Sequence, residues 1–594
     1  MFSFLVVIFL VITNGEVRTS VPEVFTIRTE GCSIPAFPLI SDTVRDLLAP
    51  PATMTPNCTE TVPLVAANDT HIWVKKETYD MFDIFQDSEL NCCYRNFSAE
   101  GNVENVAYGI CRDFTSCIKA EHEFVRVECY YSGNKIYEDL FRFNFFGMKQ
   151  LRKRNERSFN VLMLGVDSMS RKNFLRTMSK TSSFLKYRGS IQLYGYNKLG
   201  DNSFPNLFPM LTGKNFNEAK KVCWKNNVMD PTACTFMWDA FKSAGYYTAL
   251  AADSAIGVLG VYETYLRYKP TDFYWQTFMF ETRHLFRDRT FDYHICLRNR
   301  YIFKELLKYA NDVIKTVHQG KLFGFFWEES VSHSHVNYPY IMDNDYLNLL
   351  QELERSKYLE DTIVILFSDH GTRWGQILET EQGRQESRLP LFEILFPMKF
   401  RRRYRTAFKN FEINSRRLTT AHDVYETLLD LINTSSLDER HIQERMKTVN
   451  VEATGISLFL PIPTNRTCET VGVNDHWCTC IKGQKVAVGT KGQIFTAQYL
   501  LQHINQIISE YPQCHKLGID KILEVAATKN KDGIGRTYRV LLQATPGDAV
   551  FEGTLIRDRG LWTVVGSVSR LNLYRDQSRC VKDPLVKMYC YCRR

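Results

Sequence analysis

Adjacent Asp369 and His370 in "SDHG" (368–371) follow the β-branched run "TIVILF" and set an oxygen and a nitrogen donor at a strand end. Such a pair suits zinc or a similar divalent ion. An Asp-capped turn explains the tetrapeptide equally well. "GVDS" repeats the pattern, with Asp167 closing a hydrophobic strand, and the alternative there is a helix N-cap. In "EESVSH", Glu329 and His333 stand four apart, so one helical turn would put both on the same face. The stretch "GDNSFPNLFPMLTGK" then sets Ser203 two residues before Pro205. If a helix starts at Phe204, Ser203 is its N-cap and Pro205 lies in the first turn, where a missing N–H costs nothing. The same position favours an alkoxide, because a helix N-terminus presents free N–H groups and positive potential. A serine hydroxyl is a poor nucleophile near neutral pH, and metal coordination is one way to activate it. Asn206, one turn on, carries an amide that could donate to a developing oxyanion. Cap and nucleophile both remain open.

The elements that must position these residues are legible as texture. "FNVLMLGVDS", "GYYTALAAD", "KLFGFFWEES", "DTIVILFSDHG" and "RLPLFEILFP" are short apolar runs ending in polar or charged residues. Helix-like stretches separate them, from Tyr301 and from Asp343. Buried strands alternating with helices predict an α/β fold with a mainly parallel central sheet. Ligands gather at the C-terminal strand ends of such sheets, and Asp167, Glu329 and Asp369 each sit at one. Asp253, ending another run, reads as a turn residue. "GRQESRLP", with Arg384, Glu386 and Arg388, either lines the site or forms a loop into the next strand. After Thr464 one amphipathic helix and four strand-like runs predict a small α+β, cystatin-like module, an analogy of fold only.

The 594 residues predict about three or four domains. Hydrophobic content of 44% excludes global disorder. A formal charge of +8, from 74 basic and 66 acidic residues, is mild for this length. The basic runs "RKRNER" and "KFRRRYR" could attract anions or simply be solvated faces. No motif for nucleic-acid binding is present. The opening "MFSFLVVIFLVITNGE" has the short apolar core of a secretory signal, and no later run is long enough for a membrane span. Sequons at Asn57, Asn68, Asn96, Asn433 and Asn465 agree with a secreted, extracellular protein carrying N-glycans. The 17 cysteines then read as disulfides. They fall in groups of seven, three and seven, so at least one bridge between groups and one free thiol are expected. "CTC" and "CYC" keep zinc as the lesser alternative. The expected division is a signal peptide over 1–15, a Cys-rich region over 16–155, the α/β domain over 156–465 and a disulfide-rich α+β domain over 466–594.

In order, strand-Asp, a nucleophile ahead of a helix ending Leu-Thr-Gly, Glu-x-x-x-His and Ser-Asp-His-Gly resemble the alkaline-phosphatase-like superfamily. "NVLMLGVDSMSRKNF", "GDNSFPNLFPMLTG", "YKPTDFYW", "SDHGTRWG", "ETEQGRQESRLPLFEILFP" and "HDVYETLLDL" are similar to an uncharacterised animal family of secreted sulfatase-like proteins within it. The likeness covers about 159–460. It implies an alkaline-phosphatase-like sandwich and a hydrolase of phosphate esters, phosphodiesters above all, acting on a phosphorylated or otherwise anionic extracellular substrate. Ser203 would be the nucleophile, matching the Thr of the phosphodiesterases' Thr-Phe-Pro-Asn. Asp167, Ser203, Asp369 and His370 would hold one divalent ion such as zinc, and Glu329 and His333 a second. Two ions would stabilise attacking and leaving oxygens of an in-line displacement through a phosphoseryl intermediate. Three departures stand out. Position 329 is Glu where the phosphodiesterases have Asp. The last histidine of the second site has no clear match, His422 and His335 being the candidates. Leu207 stands where a sulfatase carries Arg, which argues against sulfate-ester chemistry through a matured nucleophile. A one-metal enzyme, a sulfatase-type hydrolase and an inactive extracellular binding or structural protein retaining the fold remain as alternatives.

Overall fold

The computed structural model describes residues 24–48, 57–58, 62–99, 106–144, 157–225, 228–230, 233–254, 258–259, 269–283, 285, 295–333, 335–481, 483–530 and 535–593. The expected leader over 1–15 and most of the first basic run lie outside them. Seven strands build the central sheet: β1 (Asn160–Val166), β2 (Ile191–Gln192), β3 (Tyr247–Ala252), β4 (Phe273–Tyr274), β5 (Leu322–Glu328), β6 (Thr362–Phe367) and β7 (Phe392–Leu395). Their order is β2-β7-β6-β1-β5-β3-β4. β1 runs parallel to β5 and β6, and β3 parallel to β5 and β4, while β7 is antiparallel to β6 and to β2. The sheet is therefore mainly parallel, as its unbroken apolar runs require.

Alternation along these strands feeds two cores. Val161, Met163, Phe325, Trp327, Ile365 and Phe367 face one cluster, and Leu162, Leu164, Val166, Phe326, Val364 and Leu366 face the other. Truncating one such residue to alanine costs about 2–5 kcal/mol. Five helices matter to the site: α1 (Phe204–Thr212), α2 (Ile302–Thr316), α3 (Asp343–Arg355), α4 (Glu381–Arg388) and α5 (Ala421–Ile432). Thus "GRQESR" is a buried helix, not the connecting loop that its polarity suggests. Its charges are absorbed by partners: Glu386 accepts from Arg176, Ser170 and Gln382.

Downstream, α6 (Thr490–Ile508) packs on an antiparallel sheet of β8 (Gly483–Val486), β9 (Gly518–Asn530), β10 (Arg536–Thr545), β11 (Ala549–Asp558) and β12 (Leu561–Arg570), in that order. Leu500, Ile504, Val540, Leu542 and Phe551 share its core. The opposite face of this sheet meets α4. Upstream, Leu90–Ser98, Phe124–Tyr131 and Asn134–Arg142 form the centre of a separate antiparallel sheet.

Eight disulfides are formed. Two join different cysteine groups, Cys32–Cys480 and Cys58–Cys296, one more than the minimum that parity demands. Cys117 is the free, exposed thiol. The cysteines of "CTC" and "CYC" are all in disulfides, so the zinc alternative for them falls away. Among the described residues no helix is long and apolar enough to cross a membrane. Asn57, Asn68, Asn433 and Asn465 are exposed, whereas Asn96 is half-buried within a paired strand.

Candidate active site

Parallel pairing brings three strand ends side by side. The Asp167 N–H bonds Glu328 O at 2.8 Å and the Asp253 N–H bonds Trp327 O at 3.0 Å. β6 adds Asp369 and His370 on the other flank of β1. Asp167, Asp369 and His370 are buried and each offers a ligand atom, all within 4.8 Å of one another. Ser203 Oγ donates to Asp167 Oδ2 at 3.1 Å. Ser203 begins α1 but lies at φ −70° and ψ −41°, and its side chain caps nothing. The hydroxyl is turned from the helix to the acid.

The imidazole is oriented from behind. His370 Nδ1 lies 2.8 Å from Gly371 O, and a carbonyl only accepts, so Nδ1 carries the hydrogen. Nε2 is then a lone pair, and it faces Asp369 Oδ2 at 3.1 Å. Neither atom has a hydrogen-bond partner. Burial pulls His370 down to about 4, against the pull of Asp369, so protonation does not resolve the contact at neutral pH. Two acceptors held this close fit a shared cation. A carboxylate–carboxylate–imidazole set with a neighbouring hydroxyl suits zinc or a similar divalent ion, whose tetrahedral ligands stand about 3–3.5 Å apart.

The field has the same sign. Burial and then Asp369 push Asp167 well above the usual carboxylate range. Burial, followed by Asp167, Asp253 and Glu328, does the same to Glu329. Glu329 Oε1 is buried without a hydrogen-bond partner. His333 shares this environment: burial, then Arg373 and His370, lower it well below its usual value. Its N–H reaches Glu329 O at 3.2 Å, one turn along. Glu329 and His333 thus border the nest without belonging to the tight group.

Other expectations are redistributed. Asn206 does not aim a free N–H at the serine. Its amide donates to Gly200 O and Asn202 O, and its carbonyl accepts from the Leu199 and Gly200 N–H groups. It shapes the 199–202 loop, and both donors are spent. His422 lies beside the Gly213 backbone, beyond the far end of α1, about 13 Å of helix from Ser203. His335 accepts from the Asn337 N–H and packs on Tyr338.

Asp253 is more than a turn residue. Its carboxylate accepts the Glu329 N–H at 2.8 Å, the Ser330 N–H at 3.1 Å and Ser330 Oγ at 2.6 Å. It fixes the backbone from which Glu329 projects. The nucleophile loop has a brace that no local motif announced. Asp201 accepts from Lys198 Nζ at 2.8 Å, from Trp477 Nε1 at 3.1 Å and from Ser569 Oγ. Against burial, Lys198 and its neighbours hold Asp201 well below the usual range. Gly371 completes the packing: a Cβ there would lie 2.3 Å from Glu386 O, so α4 can approach only a glycine.

Residues 53–523 match the model of a family described as "Protein of unknown function (DUF229)". The chain belongs to that family. No curated protein matches it. Solved structures show weak likenesses. Lipooligosaccharide phosphoethanolamine transferase A (EptA) from Neisseria meningitidis is 13% identical, with 48% of this chain and 56% of that one covered and a TM-score of 0.33. A protein in the alkaline phosphatase superfamily from Vibrio parahaemolyticus is 12% identical over 75% and 88%, with a TM-score of 0.31. Murine ectonucleotide pyrophosphatase/phosphodiesterase 5 is 14% identical over 37% and 59%, with a TM-score of 0.26.

Proposed function

We propose that the chain is a secreted, metal-dependent hydrolase of phosphate esters, with phosphodiesters favoured and Ser203 as nucleophile. One observation carries the reading: Ser203 Oγ bonds Asp167 Oδ2 instead of capping its helix, beside the unpartnered Asp369 Oδ2 and His370 Nε2. Asp167, Asp369, His370 and Ser203 would hold a divalent cation such as zinc, which supplies positive charge to acidify the hydroxyl and polarise the ester. Glu329 and His333, at the border of that site, would be the ligands of a second ion.

Asp167 Oδ2 is the acceptor nearest the hydroxyl proton. Ser203 Oγ would attack phosphorus, expel the alcohol and form a phosphoseryl ester, which water then hydrolyses. Asn206 and Asp201 hold the loop that presents the serine, and Asp253 holds the Glu329 backbone. The signal-like start, the eight disulfides and the four exposed sequons support a glycosylated extracellular protein. Retention of fold without turnover is the second reading. The place of His422 beyond the far end of α1 favours it, because the second ion then lacks a ligand.

The test compares purified chain with Ser203→Ala on aryl phosphodiester, phosphomonoester and sulfate substrates, with zinc and with chelator. The proposal expects zinc-dependent diester cleavage that Ser203→Ala lowers by about 10³-fold or more. Equal, chelator-insensitive background in both proteins would leave the non-catalytic reading.

A further inference from the structure

Between α4 and the C-terminal sheet lies a cavity of about 340 Å³. Its floor is the sheet face turned away from α6. Register sets Ala526 of β9 and Thr554 of β11 on either side of Arg539 of β10. Arg388 of α4 closes it from above, and Phe37 and Ile481 add apolar walls. No member of the metal nest lines it. The volume is within the range of small-molecule sites, and the lining mixes apolar, hydroxyl and charged side chains.

Arg384, Arg388 and Arg539 meet two carboxylates, Glu524 and Glu552. Four of the five Arg388 N–H donors are engaged, by Glu552 at 2.8 Å, by His476 O at 3.0 and 3.1 Å and by Arg384 O at 2.9 Å. Arg384 gives its terminal nitrogens to Glu524 and to the carbonyls of Leu378 and Glu379, while its Nε lies 3.8 Å from Glu552 Oε1 without a hydrogen bond. Arg539 is different. Its Nε stands 3.5 Å from Glu552 Oε1, and neither atom has a hydrogen-bond partner. Yet 36% of its side-chain surface is open. Burial, then Arg388, pulls Arg539 down to about 10, and its side chain lies in the cavity lining. The remaining acids of the lining, Glu381 and Asp475, are exposed and half-exposed, where solvent screens them.

A guanidinium with unused donors in a small, partly apolar chamber is built for an oxyanion, which it can engage through two parallel N–H bonds. We propose that this cavity is a second ligand site, separate from the metal nest, that takes a small organic anion, a carboxylate, sulfate or phosphate on a body about the size of one sugar ring, with Arg539 as its anchor. The proposal is independent of whether Ser203 is a nucleophile.

Calorimetric titration of the full chain in chelator tests it, with glucuronate, glucose 6-sulfate and glucose 6-phosphate as probes and glucose as the neutral control. At least one anion should bind at one site per chain, and its identity separates the three oxyanion sources. Arg539→Gln should weaken that binding about tenfold or more. Ala526→Phe, which fills the floor and keeps every charge, should abolish it. Asp369→Asn, which disables the metal nest, should leave it unchanged. The proposal is overturned if no anion binds, if glucose binds as tightly, or if folded Arg539→Gln or Ala526→Phe binds as the parent does.

Discussion

Removing metal from the nest should make stability depend on pH in a direction set by its buried acids. Glu328, whose carboxylate accepts the Val331 and Ser332 N–H groups beside the nest, is the tractable acid: burial, then Asp253, push it from an ordinary 4.5 up to about 8. A carboxyl raised in the folded state contributes its full stability below its unfolded value and loses it as pH rises through the folded one. Between pH 8.5 and 6.5 the folded chain therefore gains about 2 kcal/mol from this group, at about 1.4 kcal/mol per tenfold change. For a cooperative unit of about 300 residues, with an unfolding entropy near 0.6 kcal/mol/K, that is about 3 °C in Tm. Asp167 and Glu329 act in the same direction. Below pH 6.5 the trend should flatten, because His370 and His476 are each pulled down to about 4 and take up protons only on unfolding, which offsets two of the three acids. The assay is thermal unfolding in chelator at pH 8.5, 7.5 and 6.5, repeated on Glu328→Gln. The parent should melt higher at 6.5 than at 8.5, and Glu328→Gln should lose about 3 °C of that difference. Zinc at about 100 times its Kd should add about 2.7 kcal/mol. A chelated parent whose Tm is flat or falls from 8.5 to 6.5 would refute the reasoning, as would an unchanged slope in Glu328→Gln.

Asp253→Ala leaves the buried Glu329 and Ser330 N–H groups unpaired and the Ser330 hydroxyl only a long contact to Glu328, so it should cost about 2–4 kcal/mol in denaturant unfolding and lower kcat more than it raises KM. Gly371→Ala forces α4 away from the metal ligands, so metal affinity should drop at least tenfold by competition with a chromogenic chelator. Asn206→Leu unties four hydrogen bonds of the nucleophile loop, and kcat should fall about 10²-fold while zinc binding by Asp167, Asp369 and His370 persists.

Much of the site was legible because its residues end strands. Unbroken apolar runs announced β1, β5 and β6, and a parallel sheet carries whatever follows them to one edge. Asp167, Asp369 and His370 converge for that reason. Ser203 was ambiguous, since capping and attack ask the same of local sequence, and only the path of its hydroxyl to Asp167 separates them. Asn206 and Asp253 were misjudged for a shared reason: their partners are backbone groups, and backbone leaves no signature in residue types. The brace on Asp201 was invisible because Ser569 lies 368 residues away. Polarity also hid α4, whose Arg384, Glu386 and Arg388 are buried, the two arginines against the C-terminal sheet.

The most direct measurement is anomalous diffraction at the zinc edge from crystals grown with zinc. The account predicts a peak about 2.0–2.2 Å from carboxylate oxygens of Asp167 and Asp369, from His370 Nε2 and from Ser203 Oγ. A structure with zinc elsewhere, or with Ser203 Oγ back on the N–H groups of α1, would contradict it.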